Sequence, residues 1–574
     1  MSSICGLVHR DGRPVAGGLQ RMIAVLSHWG PDATGAWEEG DAALGHLALW
    51  TTPEAVRERC PWREPASGIV VTADARIDNR DDLIPALGLG GRPAAAIGDV
   101  ELIGHAYLAW GTACAERLIG DFAFAIWDAR AKRLFCARDP VGMRPFFYFA
   151  DARRFLFGTE IKAIFAAGDV ARELNDLPIA AALAGLPTFD DQTAFKSIRA
   201  LEPASALCVD ERGLRVWKYW RLELGREIRL RRDEDYADAM EEILRRAVNA
   251  RLRSHARVGC LLSGGLDATT CLALAMRGGA IAPDRLSAFS WALRENDDWW
   301  IADERPFIEA FLRENPIDHT YVFGDPSVLF DLPPEMRRHQ DVPESRVDHY
   351  QMIPTVIAAR AKGVRVLLHG AGGDETASYG GPDYVLSRLL AGDVAALLVE
   401  IAARGPQTTF WWRTKTLLRP LLDPARLRMP FQYQQLYGRR CERVADLSEL
   451  GIPLPAALAK EIGLESYVRE VSRPRLRGAW LNPLRAHQIY ALTQTHVMSD
   501  QVAAWGYQTS YGIESRCPYL DRRVIEFAVA VPEQQHRCAG VSRRLLRRVA
   551  ARYLPAKIAG RDDKSSTAPD LGRA

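Results

Sequence analysis

The sequence predicts an α+β domain followed by an α/β domain built on a parallel sheet. Three observations carry this. Short apolar runs separated by tight turns fill the chain to about Leu214. A charged stretch, Gly225 to Asp235, then interrupts the pattern. Beyond it strand-like and helix-like runs alternate, the order a parallel sheet with crossover helices requires. A chain of 574 residues exceeds what one core holds. We therefore expect a first domain over 1–215, a linker over 216–235 and a second domain over 236–574.

In the first domain, Phe122 to Trp127 and Arg133 to Ala137 are apolar runs with Asp128-Ala129-Arg130 as the turn between them. Phe146 to Phe149 and Arg154 to Phe157 repeat the pattern, which makes antiparallel pairing the expectation. The charged stretch reads as a solvated linker. Asp233 reads as the cap of a helix whose apolar positions Tyr236, Met240, Ile243, Leu244, Ala247 and Val248 keep helical spacing. Strands are expected at Val258–Leu262, Leu286–Trp291, Thr320–Phe323 and Val364–His369, with a helix over Tyr350 to Lys362. The region from about Tyr384 to Tyr511 reads as mostly helical.

Composition excludes several classes. A hydrophobic share of 48% and a charged share of 25% are those of an ordinary soluble globular protein. A formal net charge of +2 gives no reason to expect nucleic-acid or membrane binding. No apolar run is long enough to span a bilayer, and Met-Ser-Ser-Ile-Cys-Gly lacks the features of a signal peptide. Ten cysteines include no C-x-x-C pair, so neither a zinc site nor a disulfide framework is indicated. A cytoplasmic enzyme with reduced thiols is the expectation.

The chemistry concentrates in two glycine-rich turns, each following a predicted strand. Leu262-Ser263-Gly264-Gly265-Leu266-Asp267 leads into an Ala/Leu-rich helix. Strand, glycine turn and helix N-terminus form the setting in which backbone amides cradle an anion. Ser263 adds a hydroxyl donor, and Asp267 stands where it would hold a metal on phosphates. The turn lacks the lysine of an ordinary P-loop. The second turn is His369-Gly370-Ala371-Gly372-Gly373-Asp374-Glu375. Asp267 and Asp374 together would suit Mg²⁺, since hard cations prefer oxygen ligands. A third segment, Arg561-Asp562-Asp563-Lys564, offers a flexible lysine for developing charge. Taken alone, each of these has a plainer reading: a tight αβ turn with Asp374 as a helix cap, and a surface lysine.

Together with Gly30-Pro31-Asp32, Leu118 to Ala125, Ala137-Arg138-Asp139-Pro140-Val141-Gly142, Gly158 to Ala163 and Arg516-Cys517-Pro518-Tyr519-Leu520-Asp521, these motifs resemble the asparagine synthetase superfamily over nearly the whole chain. The resemblance implies an N-terminal Ntn-type glutaminase-like sandwich and a C-terminal ATP-pyrophosphatase (PP-loop) domain. It implies ATP and Mg²⁺ as cofactors, with Leu262, Ser263, Gly264, Gly265, Asp267, Trp291, His369 and Gly370 lining the nucleotide. Asp267 and Asp374 would hold the metal, and Asp267, Asp374 and Lys564 would serve catalysis.

The pattern also breaks. A glutaminase of this superfamily needs cysteine as its first mature residue, where thiol and free amine act together. The Cys-Gly pair here begins at Cys5, behind Met1 to Ile4, and Ser2 reads as out of register. The arginine that clamps the glutamine carboxylate falls at Ala48, and Asn-Gly-Glu reads Asp74-Ala75-Arg76; only Asp99 keeps its type. The first domain is therefore expected to be inactive as a glutaminase, with Cys5 a small buried residue. In the second domain the glutamate tied to aspartyl-adenylate formation and ammonia use is Ala371. His369 reads as packed or capping ahead of a general base.

Of the relatives that close amides within one substrate, the segments Leu49 to Ala55 and Asp74 to Leu83 most resemble the lasso-peptide macrolactam synthetases. That resemblance implies an AMP-forming ligase that adenylates an Asp or Glu side chain of a leader-cleaved precursor peptide. A leader-binding protein and a leader peptidase are the implied partners. Trp299-Trp300 and Phe410-Trp411-Trp412 are aromatic candidates for peptide contact, with core packing the plainer reading. A glutamine-hydrolysing asparagine synthetase and a non-catalytic nucleotide-binding scaffold are the alternatives.

Overall fold

The computed structural model describes residues 1–183, 189, 191–292, 303–328, 332–338, 341, 349–403, 455–471, 482–493 and 510–562. Its first half is a sandwich of two antiparallel sheets. The strands are β1 Ser3–His9, β2 Ala33–Glu39, β3 Ala42–Ala48, β4 Trp62–Glu64, β5 Ile69–Ile77, β6 Gly120–Asp128, β7 Arg133–Arg138, β8 Phe147–Ala150, β9 Arg154–Gly158, β10 Arg199–Ala200, β11 Ser205–Asp210 and β12 Gly213–Lys218. One sheet runs β10-β8-β9-β1-β3-β2, the other β12-β11-β7-β6-β5-β4. Alternation of side chains along β6 explains the core. Ala123, Ala125 and Trp127 face the opposite sheet and meet Ile4, Val8, Leu44, Phe155 and Phe157. Phe122, Phe124 and Ile126 face outward, under the helix Asp99–Trp110. The other sheet is covered by the helices Gly18–Val25 and Ile161–Ala167, through Leu19, Met22, Ile161 and Ile164.

The second half is a five-stranded parallel sheet in the order β15-β14-β13-β16-β17. The strands are β13 Arg257–Leu261, β14 Leu286–Ala292, β15 Asp318–Phe323, β16 Val364–Leu368 and β17 Glu514–Arg516. Helices Asp233–Leu252, Leu266–Arg277, Arg522–Ala530 and Arg544–Ala550 cover one face. The helix His349–Ala361 covers the other, against Phe289, Val322, Val364 and Leu367. Strand order reverses between β13 and β16, the point where open α/β sheets bind ligands. Further helices lie at Tyr384–Leu390, Val394–Ala402, Ala456–Glu461, Leu464–Val471 and Pro483–Thr493. Among the described residues no helix is long and apolar enough to cross a membrane.

Between the halves the charged stretch is largely exposed, yet Ile228 N–H donates to Ala530 O at 2.8 Å and Leu230 N–H to Tyr236 Oη at 2.8 Å. One sequence expectation is corrected here. The helix is capped by Arg232, not Asp233. The Asp235 carboxylate accepts the Arg232 N–H at 3.0 Å, while Asp233 turns to Gln535 at 2.8 Å and to Arg544 and Arg548. Charge complementarity with the helix Arg544–Ala550 outcompetes a local cap.

Buried ion pairs lock the two halves together. Arg251, 1% exposed, pairs with Asp521 at 2.8 Å and with Asp78 of the sandwich at 3.2 Å. Arg76 of the sandwich pairs with Asp78 at 2.8 Å and Asp121 at 2.8 Å. Burial alone would raise the Asp78 pKa, but Arg76 and Arg251 outweigh it and hold the carboxyl below its usual range. Arg251→Met takes one guanidinium from two buried carboxylates, leaving Asp78 to Arg76 and Asp521 to Arg523, and we expect a loss of about 2–3 kcal/mol in chemical denaturation. Arg246→Met, which opens only the exposed 3.8 Å pair with Asp82, should change stability by less than about 0.5 kcal/mol.

Candidate active site

Two turns meet at the reversal of strand order. After β13, Gly265 caps the helix Leu266–Arg277 and donates its N–H to Ser263 Oγ at 3.1 Å, while Thr269 Oγ donates to Ser263 O at 2.6 Å. These bonds hold the glycine turn open above the helix N-terminus, where its dipole favours anions. The Gly264 N–H is engaged by an anion already, the Glu304 carboxylate, at 3.0 Å. That carboxylate pairs with Arg561 at 2.9 Å, and Arg561 also donates to Gly264 O at 2.9 Å. The loop thus receives an anionic oxygen at the place expected for phosphate, and Arg561 brings the C-terminal segment to it. Lys564 itself lies outside the described residues.

After β16, His369 is 6% exposed. Its N–H donates to Arg516 O at 2.9 Å, and its Nε2 lies 3.1 Å from Ser515 Oγ. This geometry ties the ring to β17 and fits the packed reading. Gly370 and Gly373 press against the first turn. A Cβ on Gly370 would lie 2.6 Å from Ala268 N, and one on Gly373 2.3 Å from Asp267 Oδ1. Asp374 follows Gly373 directly, so the backbone that carries the second predicted metal-binding carboxylate passes close to Asp267. By donor type the pair would suit Mg²⁺: two hard carboxylates, too few to enclose the ion by themselves. A cationic group does stand at Asp374, the Arg543 guanidinium at 3.0 Å. Arg543 holds a left-handed backbone at φ 58°, a conformation that side chains other than glycine rarely adopt.

Of the other predicted residues, Leu262 is buried, its N–H on Phe289 O at 2.8 Å. Trp291, at the end of β14, donates its indole N–H to Thr355 Oγ at 2.9 Å and packs toward the helix His349–Ala361. Trp299, Trp300, Phe410, Trp411 and Trp412 lie outside the described residues. Ala371 packs in the apolar seam with Val141, Trp220 and Leu520. Glu304 and Arg543 were missed. An isolated charged residue in a loop carries no sequence signal of the turn it will reach.

The sandwich has its own cavity, about 240 Å³, lined by Ser2, Thr34, His46, Ala48, Glu58, Asp74, Arg144 and Glu514 among others. Here the register expectation is corrected. Ser2, not Cys5, stands at the cavity end of β1. Its N–H donates to Asp74 Oδ1 at 3.0 Å and its Oγ accepts the Leu49 N–H at 3.1 Å. Cys5 lies three residues along, in the layer between Leu19, Leu7 and Leu47. Burial pushes its thiol up to about 12, so it is inert at neutral pH. Asp99, the one retained glutamine-holding type, is taken by Arg253 at 2.8 Å and by Arg80. Arg76 turns away from the cavity into the ion pairs between the halves.

A family model described as Asparagine synthase matches residues 239–572. The chain belongs to the asparagine synthase family. A second model, Glutamine amidotransferase domain, matches residues 1–220 of this family member. It is similar to asparagine synthetase [glutamine-hydrolyzing] 3 of Bacillus subtilis, 32% identical over 302 residues, a match to 51% of this chain and 48% of that protein. It is also similar to amidase chyE of Penicillium rubens, 24% identical over 555 residues, covering 91% of this chain and 79% of that one. The chain thus spans about half the length of the first relative and most of the second.

Two outcomes check this geometry. Gly373→Ala pushes a methyl group into Asp267, and we expect ATP turnover to fall at least about tenfold, with thermal unfolding little changed. Glu58 lines the sandwich cavity, where burial, reinforced by Asp99, raises it from 4.5 to about 8 although it accepts the Glu101 N–H at 2.8 Å. Folding then favours the protonated acid, so its contribution is full below 4.5 and lost as the pH rises to about 8. Denaturation of Glu58→Gln across pH should show a stability gain over wild type that grows through this window and is level above it.

Proposed function

We propose that this family member is an ATP- and Mg²⁺-dependent, AMP-forming amide ligase that closes an isopeptide ring in a lasso peptide. One juxtaposition carries the reading. Two glycine turns meet at a helix N-terminus and carry Asp267 and Asp374, while the sandwich cavity is lined by a serine and by a methyl group at Ala48, and Asp99 is held in ion pairs. Nucleotide chemistry without a source of glutamine nitrogen favours an amine supplied by the substrate itself.

In this account the peptide's acceptor carboxylate attacks the α-phosphorus of ATP, and pyrophosphate leaves. The amine nitrogen of the peptide's first residue then attacks the acyl carbon. AMP leaves with one carboxylate oxygen, and the amine gives up a proton. The N-terminus of the helix Leu266–Arg277 attracts the departing phosphates, and the Gly264 N–H exchanges the Glu304 carboxylate for a phosphate oxygen. Asp267 and Asp374 would hold Mg²⁺, which would supply charge neutralisation at the phosphates. Arg543 exchanges Asp374 for a phosphate oxygen, and Lys564 meets charge that develops at the adenylate. Holding amine and acyl group together supplies an effective molarity of about 10⁵–10⁸ M.

A second reading, glutamine-hydrolysing asparagine synthetase, is favoured by the name of the Bacillus subtilis relative. The two differ in what drives pyrophosphate release. We expect carboxylate-dependent pyrophosphate release with a leader-free lasso precursor peptide, and a product lighter than that peptide by one water. Release driven by aspartate and glutamine instead would replace this reading with the second. Asp267→Ala should lower ring closure by at least about 10²-fold; ring closure at the wild-type rate would sink the account.

A further inference from the structure

We propose that Glu514 is a positioning residue through which the sandwich sets the geometry of the nucleotide turn. Among the described residues β17, three residues long, is the last strand of the sheet and pairs with β16 alone. So short a strand gains little from its ladder. Its outer side is instead pinned by charge. Glu514, 2% exposed, receives Arg144 at 2.6 Å and Arg76 at 3.3 Å, both from the sandwich, with Arg516 of its own strand at 3.1 Å. Thr51 of the sandwich donates a hydroxyl to the same carboxylate. Burial alone would raise the Glu514 pKa, but these guanidinium groups hold it well below the usual range.

The neighbouring residue carries the position onward. Ser515 faces His369, with Oγ 3.1 Å from Nε2, and Arg516 O accepts the His369 N–H at 2.9 Å. His369 opens the turn whose Gly370 and Gly373 rest against Ala268 and Asp267 with no space for a Cβ. A shift of β17 therefore moves this turn against the pyrophosphate loop. The sandwich keeps a task here that needs no glutaminase chemistry. The inference draws on the adenylation reading only for what the turn does, not for how it is held.

The test is hydrogen exchange by mass spectrometry on the full chain, following residues 366–376 and, as reference, β14. Glu514→Gln and Arg144→Met should each speed exchange in the turn by about tenfold, with β14 unchanged. Arg144→Met combined with Glu514→Gln should add little, because both break one link. Ser515→Ala should speed the turn alone, and it decides the matter if Glu514→Gln does not fold. An unchanged turn, equal acceleration in β14, or full additivity would overturn the proposal. Where exchange follows the proposal, the same variants should lower kcat for pyrophosphate release more than KM for ATP. Absence of release from the wild type would count against adenylation, leaving the exchange result to judge Glu514 by itself.

Discussion

A buried carboxylate without a cation is among the costliest groups a fold can hold, and this structure arranges itself around several. Glu514, Asp521 and Asp78 lie at the seam between a sandwich and a parallel sheet, each satisfied only because guanidinium groups arrive from more than one element. Neither half alone completes the set. The seam is thus held by mutual neutralisation as well as by the apolar packing of Val141, Trp220, Leu520 and Ile525. It also fixes the edge strand beside the nucleotide turn.

The pattern that survives in the sandwich follows from this. Positions that the family resemblance assigns to glutamine are engaged elsewhere: Asp99 in pairs with Arg80 and Arg253, Arg76 in the seam, Ser2 on Asp74 and Leu49. Residues that join the two halves remain paired and buried. A domain kept for its contacts rather than its chemistry would retain this set and lose the other. The cavity persists because backbone layers hold it open, whatever lines it.

Periodicity made the fold legible. Alternation in Phe122 to Trp127 reports a strand packed on both faces, and strands expected at Val258, Leu286, Thr320 and Val364 appear within two residues of those starts. The glycine turns were legible because close approach restricts residue type, as Gly370 and Gly373 illustrate. Long-range charge was not. Glu514 sits 370 residues from Arg144 in the chain, and Glu304 and Arg543 lie in segments whose local sequence gives no hint of the turns they reach. Register at the N-terminus also misled, because a Cys-Gly pair outweighs a lone serine as a signal, although alternation along β1 places Ser2 at the cavity and Cys5 in the core.

The central claim is that this site joins a peptide carboxylate to an amine through an acyl-adenylate. Leader-free precursor peptide labelled with oxygen-18 in its acceptor carboxyl, incubated with the chain, ATP and Mg²⁺, tests it directly by mass spectrometry of the nucleotide formed. The account predicts AMP carrying one labelled oxygen, formed in step with ring closure. Label in inorganic phosphate with ADP as the nucleotide, or ring closure with unlabelled AMP, would contradict it.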